Sequence, residues 1–257
     1  MPKPPLPHAL HTLCLCLPIL LAACNSPPVK KDIDGDGFQA GQMLQNDANR
    51  AANLAMRDNL ASLSLLLDKL YKRNPREWKK TGAASLERAR ESVMQAIVDD
   101  QPLPGLDGRK SVAVLPLAFD RDFVGDRAGT LIYGLGSMLR EVYGEKTSLY
   151  LINGLNAQKL ANAAWNIEVA AWLLASRTDA QGEPLLLSNE ISDKGRNLSF
   201  EREFGRMTGR LELLAQMSDE SLRRTGINYV QGILAAPLLG LMQFIPVDAA
   251  TAATSAQ

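Results

Sequence analysis

The sequence predicts an all-α protein, a bundle of about five to seven helices. Apolar residues recur three and four apart in several separate stretches, the period that places them on one face of a helix. One short run, Val112-Ala113-Val114-Leu115, has strand-like composition, and no second run of comparable quality answers it. Hydrophobic residues make up 46% and charged residues 22% of the chain, a balance that favours a globular core over disorder. No repeat of constant period is present, which argues against a solenoid.

Taken in order, the chain opens with an apolar run, residues 13–24, LCLCLPILLAAC, that ends in Leu21-Ala22-Ala23-Cys24. The run is too short for a bilayer span of about 20 residues and fits a signal h-region. Its last four residues resemble the lipobox of bacterial lipoproteins. That resemblance covers residues 1–24 and implies cleavage after Ala23, covalent lipid on the Cys24 thiol and acylation of the freed amine. By resemblance to enteric sorting, Asn25 after the Cys implies export to the outer membrane, facing the periplasm. The expected organisation is a signal peptide over 1–23, a lipidated Cys24 and tether over 24–41, a helical hairpin over 42–99, a bundle continuing the same core over 112–247, and a disordered tail over 248–257.

Cleavage there has chemical consequences. Both histidines, His8 and His11, and two of the three cysteines, Cys14 and Cys16, lie in the leader. The mature chain of 234 residues keeps one thiol, which the lipid consumes, so no intramolecular disulfide is expected. A Ser-His-Asp or Cys-His site, a His-ligated metal and a histidine pH switch are excluded together. With 27 basic against 28 acidic residues, the mature part is near neutral and favours neither nucleic acid nor anionic lipid.

The tether, rich in Pro, Gly, Lys and Asp, gives little to bury. Within it Asp32, Asp34 and Asp36, followed by Gly37, look like the first half of an EF-hand calcium loop. Met43 stands at the twelfth position where a bidentate Glu belongs, so a solvated acidic turn is the expectation and these three aspartates are candidates only.

Residues 39–73, with Leu44, Ala48, Ala51, Ala55, Leu63, Leu66, Leu67 and Leu70 on one stripe, read as one long amphipathic helix. Asn74-Pro75-Arg76-Glu77 should stop it and start the next, with Asn74 as N-cap, Pro75 at the first helical position and Glu77 completing a capping box. The second helix is expected to continue through Trp78, Leu86, Ala89, Val93 and Ile97 to about Asp99. Residues 99–111 are the clearest break, and 112–115 should form a buried turn or short helix.

Residues 125–143 carry Leu131, Ile132, Leu135, Met138, Leu139 and Val142 on an apolar side. Gly129, Gly134 and Gly136 there point to close packing on a neighbour, since no strand-turn-helix context supports a phosphate cradle. Asn156 should cap a helix bearing Leu160, Ala164, Ile167, Ala171 and Leu174, its apolar face widened by Trp165 and Trp172. Residues 176–198 read as a polar loop, and Phe200, Phe204, Met207, Leu211 and Leu214 mark another helix. Ser218 should cap a last helix, from which residues 225–247 run without a charge.

Candidate chemistry is sparse. Glu220-Ser221 followed by Gly240-Leu241-Met242-Gln243 resembles, in order, the Glu-Ser and Gly-Leu-Met-Gln motifs of lytic transglycosylases, which implies Glu220 as the general acid/base of glycosidic cleavage. Asp99 with Asp100, Glu201 with Glu203, and Asp120 with Asp122 and Asp126 have no spacing that selects a mechanism. They read as solvated surface, the last set binding a hard cation if a loop gathers it. The expected function is a lipid-anchored structural or interaction module: membrane through the anchor, a protein partner, no nucleic acid, and no cofactor beyond the lipid. The alternative is a lipid- or amphiphile-handling protein that uses residues 225–247.

Overall fold

The structure is a computed structural model that describes residues 47–144, 155–192 and 195–218. The signal segment, the tether with Asp32, Asp34 and Asp36, Glu220, the 225–247 run and the tail lie outside the described residues. The protein is all-α. Among the described residues there are seven α-helices: α1 Asp47–Arg73, α2 Pro75–Lys79, α3 Leu86–Val98, α4 Leu115–Ala118, α5 Arg127–Val142, α6 Ala157–Ser176 and α7 Ser199–Ser218. A 3-10 turn, Ser111–Ala113, precedes α4, and a small antiparallel hairpin pairs β1 Glu190–Ser192 with β2 Gly195–Asn197. No helix among the described residues is long and apolar enough to cross a membrane.

α5 is the axis of this bundle. Every residue from Arg127 to Arg140 is buried, so α1, α3, α4, α6 and the 3-10 turn can all pack against it. A helix enclosed on so many sides has to be narrow where neighbours cross it. A Cβ on Gly136 would stand 2.5 Å from Ile97 Cδ1 of α3, and one on Gly134 would stand 2.6 Å from Leu115 Cδ2 of α4. Gly134 and Gly136 are therefore contact points between helices, whereas Gly129 lies against its own helix cap, Asp126. The apolar side chains of α1, α3, α5, α6 and α7 join in one continuous core cluster.

Polar groups of α5 tie its neighbours down one by one. Asp126, its N-cap, accepts the Gly129 N–H at 2.9 Å and the Tyr71 hydroxyl of α1 at 2.5 Å. The buried Arg127 guanidinium donates to three carbonyls, of Ala118, Asp120 and Arg121, and lies over the Phe123 ring, which fixes the loop after α4. Ser137 accepts the Ser111 N–H at 2.8 Å, where Ser111 adopts a left-handed φ of 58°. Arg140 donates to Val98 O at 2.6 Å, a cation on the exposed carbonyl end of α3. Tyr143 closes the series on Ala52 O of α1, 3.1 Å away.

Four sequence expectations need correction. Asn74 is the N-cap residue of α2, yet its side chain makes no capping bond. Its amide instead spans Leu187, accepting that residue's N–H at 2.8 Å and donating to its C=O at 2.9 Å. Glu77 completes no capping box: buried beside α5, it accepts the Arg127 N–H and the Lys80 ammonium, each at 2.7 Å. The helix that starts at Pro75 ends at Lys79, because the chain turns through Gly82 at φ 74° and restarts where Ser85 caps α3. The polar loop before α7 contains the β1–β2 hairpin. The capping of α6 by Asn156 and the short helical form of 111–118 agree with the sequence reading.

Two outcomes follow from α5. Gly136→Ala gains up to about 1 kcal/mol of helix propensity but crowds three Ile97 carbons, at a cost of about 1–3 kcal/mol. Its urea midpoint is expected to fall. Burial raises the Asp126 carboxyl above its ordinary value, against the bonds from Gly129 and Tyr71 that favour the anion. A raised folded value means that this group's titration stabilises the fold below about pH 3.9 and loses that contribution as pH rises through the folded value. Asp126→Asn has no such titration, so in urea titrations at pH 4, 5, 6 and 7 the stability of wild type relative to it should fall with rising pH until the carboxyl is ionised in the fold; a difference constant across that range would refute the assignment.

Candidate functional site

A concave surface of the described residues lies between α6 and α7. It is a groove of about 520 Å³. α6 contributes Glu168, Ala171, Trp172 and Ala175, spaced three and four apart and so on one face. α7 contributes Glu201, Phe204, Gly205, Thr208, Gly209 and Glu212 on the same spacing. Phe204 is 3% exposed and forms floor, whereas Trp172 is 40% exposed and forms wall.

Its glycines differ in kind from those of α5. A Cβ on Gly205 or Gly209 would meet nothing within 4 Å. These positions keep the groove open, and together with Ala171, Ala175 and Thr208 they form a small-residue surface onto which a third helix can pack closely. Glu168, Glu201 and Glu212 bring carboxylates to the groove, and Glu201 is held near Asn189 through its N–H and its carboxylate. Chemically the lining offers an apolar floor, an aromatic wall and negative charge, the features of a docking surface.

α7 is also held to α1 by a partly buried polar seam. Glu203 is 5% exposed, accepts the Ser62 hydroxyl at 3.1 Å and pairs with Arg206 at 2.7 Å. Arg210 donates to Asn59 Oδ1 at 3.1 Å and to Ser62 Oγ at 3.2 Å. Hydrogen-bonded side chains of this kind fix the register of α7 against α1, and with it the angle at which Gly205 and Gly209 face outward. Glu203 therefore corrects the expectation of solvated surface for that pair, of which only Glu201 is exposed.

The other sequence candidates separate. Asp126 is the cap described above, Asp120 accepts the Asp122 N–H at 3.0 Å in a local turn, and the three do not converge on a common point. No group of three or more His, Cys, Asp or Glu placed to hold a metal occurs among the described residues. Asp100, at a left-handed φ of 56°, pairs with Lys110 at 3.2 Å, while Asp99 ends α3 and accepts from Gln95. Ser218 is the last described residue of α7, and its hydroxyl donates back to Leu214 O at 2.7 Å; the helix it is expected to cap lies outside the described residues. Trp172 stands at the rim and not on the core face that its spacing predicts. The four-residue interval between Gly205 and Gly209 was the signal that could have located the groove.

No protein family, curated protein or solved structure matches this chain.

The adjacent glutamates of α7 provide the check on this geometry. Glu203→Ala leaves the buried Ser62 hydroxyl without its acceptor and Arg206 without its carboxylate, and should lower stability by about 1–3 kcal/mol in urea unfolding. Glu201→Ala, at the groove's rim, should stay within about 0.5 kcal/mol of wild type.

Proposed function

We propose that the chain is a lipid-anchored interaction module at the periplasmic face of the bacterial outer membrane. One structural observation carries the interaction half of this reading: the α6/α7 groove, an acidic-rimmed, small-residue surface beside a half-exposed Trp172. The partner is a protein whose helix presents an apolar face to the groove and positive charge to Glu168, Glu201 and Glu212.

The anchoring half rests on Leu21-Ala22-Ala23-Cys24 at the end of an apolar run. On that reading the Cys24 thiol loses its proton and takes a diacylglyceryl group from a phospholipid, forming a thioether as the C–O bond to the phosphate headgroup breaks and the headgroup leaves; water then cleaves the peptide bond after Ala23, and residues 25–41 form the tether. A flexible chain of that length reaches about 20–25 Å, so the bundle stays close to the lipid surface. Two acyl signals on one residue suffice for stable attachment where a single chain does not.

Full-length protein produced in a Gram-negative host should incorporate labelled palmitate and sediment with membranes. Cys24→Ser should lose the label and leave the uncleaved precursor. Membrane attachment of the wild type without label would refute the anchor, as would label retained in Cys24→Ser.

A further inference from the structure

The α6/α7 groove carries three carboxylates and no compensating cation. Neither Lys nor Arg lines it, and Glu201 and Glu212 form no ion pair among the described residues. Thr208 supplies an independent observation. It is only 6% exposed, it lines the groove, and its hydroxyl has no hydrogen-bond partner among the described residues. A hydroxyl taken from bulk water without a protein partner is an acceptor offered to whatever occupies the cavity beside it. We propose that this groove binds a linear aliphatic polyamine, with its ammonium groups at Glu201, Thr208 and Glu212 and its methylene links on the apolar floor.

The spacing of the acceptors sets the class of ligand. Along α7, Thr208 stands about 10 Å from Glu201 and about 6 Å from Glu212, at 1.5 Å per residue. Acceptors spread over about 16 Å do not converge on one metal ion, and no metal-holding group of His, Cys, Asp or Glu occurs among the described residues. They suit a chain that carries positive charge at intervals. Glu168 brings a third carboxylate from the α6 wall.

The surface between the acceptors suits the links. Phe204 forms the floor, and Gly205 and Gly209 leave it open, because a Cβ at either position would meet nothing within 4 Å. Trp172 offers its indole to an ammonium, a contact that strengthens as water is excluded. A neutral amphiphile would cover the carboxylates without pairing them, and an anion would be repelled. The volume of about 520 Å³ falls within the range of sites that enclose small organic molecules.

This inference goes beyond the docking of a partner helix while using the same groove, since a bound polyamine and the positive face of that helix take the same carboxylates. Full-length protein in an uncharged detergent is titrated with spermidine by isothermal calorimetry at low ionic strength. One saturable site is expected, and butylamine, with a single ammonium, should bind about tenfold more weakly or less. Glu212→Gln removes a charge and keeps the shape, and should weaken spermidine binding about tenfold; Glu201→Gln is the second variant and should act alike. Thr208→Val should weaken it about three- to tenfold, and Thr208→Ser, which keeps the hydroxyl, should restore it. Glu87→Gln, on α3 and outside the groove, should change nothing. Circular dichroism checks that each variant keeps its helix content.

The proposal is overturned if spermidine does not bind, or if butylamine binds as tightly. It is overturned equally if the groove variants bind as wild type does, or if Glu87→Gln weakens binding as much as they do, because either result reports general attraction to acidic surface. Binding of an oligolysine peptide in the absence of any spermidine binding overturns it too and leaves the interaction reading standing, so the two readings fail separately.

Discussion

A helix buried on every side must be thin, and that steric limit on α5 governs the arrangement of the other elements. Packed interiors tolerate no overlap and few voids, so each neighbour of α5 has to find its own place along it. Gly136 receives the Ile97 side chain of α3, and Gly134 receives Leu115 of α4. The glycines weaken α5 as an isolated helix by up to about 1 kcal/mol each, which means that tertiary contacts hold it. Local propensity is sacrificed at the points where the layers meet.

A thin apolar axis alone would let the surrounding helices slide. The polar side chains of α5 prevent this, since four of them reach four different neighbouring elements. Tyr71 finds Asp126, the loop carbonyls find Arg127, the 3-10 turn finds Ser137 and the end of α3 finds Arg140. A hydrogen bond gained this way adds about 0.5–1.5 kcal/mol, and one left unmade costs more. The penalty for misalignment exceeds the reward for alignment, and this asymmetry selects one register. The same logic operates between α1 and α7 through Ser62, Glu203, Asn59 and Arg210, and there it also shapes the outward face of α7.

Much of this was legible in the residues. Three-and-four spacing located α1, α5, α6 and α7, because burying a stripe demands that period whatever the neighbours are. The side-chain caps Asn156 and Ser85 act within their own turns, and Asn156 was readable for that reason. Asn74 and Glu77 had the same local grammar, yet Leu187 and Arg127, at sequence distances of 113 and 50, took their side chains. A local motif predicts a local bond only when no distant group competes for the same atoms. The groove was hidden for a related reason: Gly205 and Gly136 look alike in sequence, and only the packing around them tells an open position from a filled one.

The Ser62–Glu203 bond joins residues 141 positions apart, and it lies in an interface that pairs the first described helix with the last. A chain made from its N-terminus therefore carries part of the α1 stripe uncovered until α7 has been completed. Contacts of such separation form late, after most of the loop entropy between them has been lost. A nascent chain halted before residue 199 is consequently no smaller bundle; it is a molecule with an apolar flank open to whatever it meets. Closure of this interface therefore waits for α7 to be made, and the interval before it is when the α1 flank is most open to aggregation.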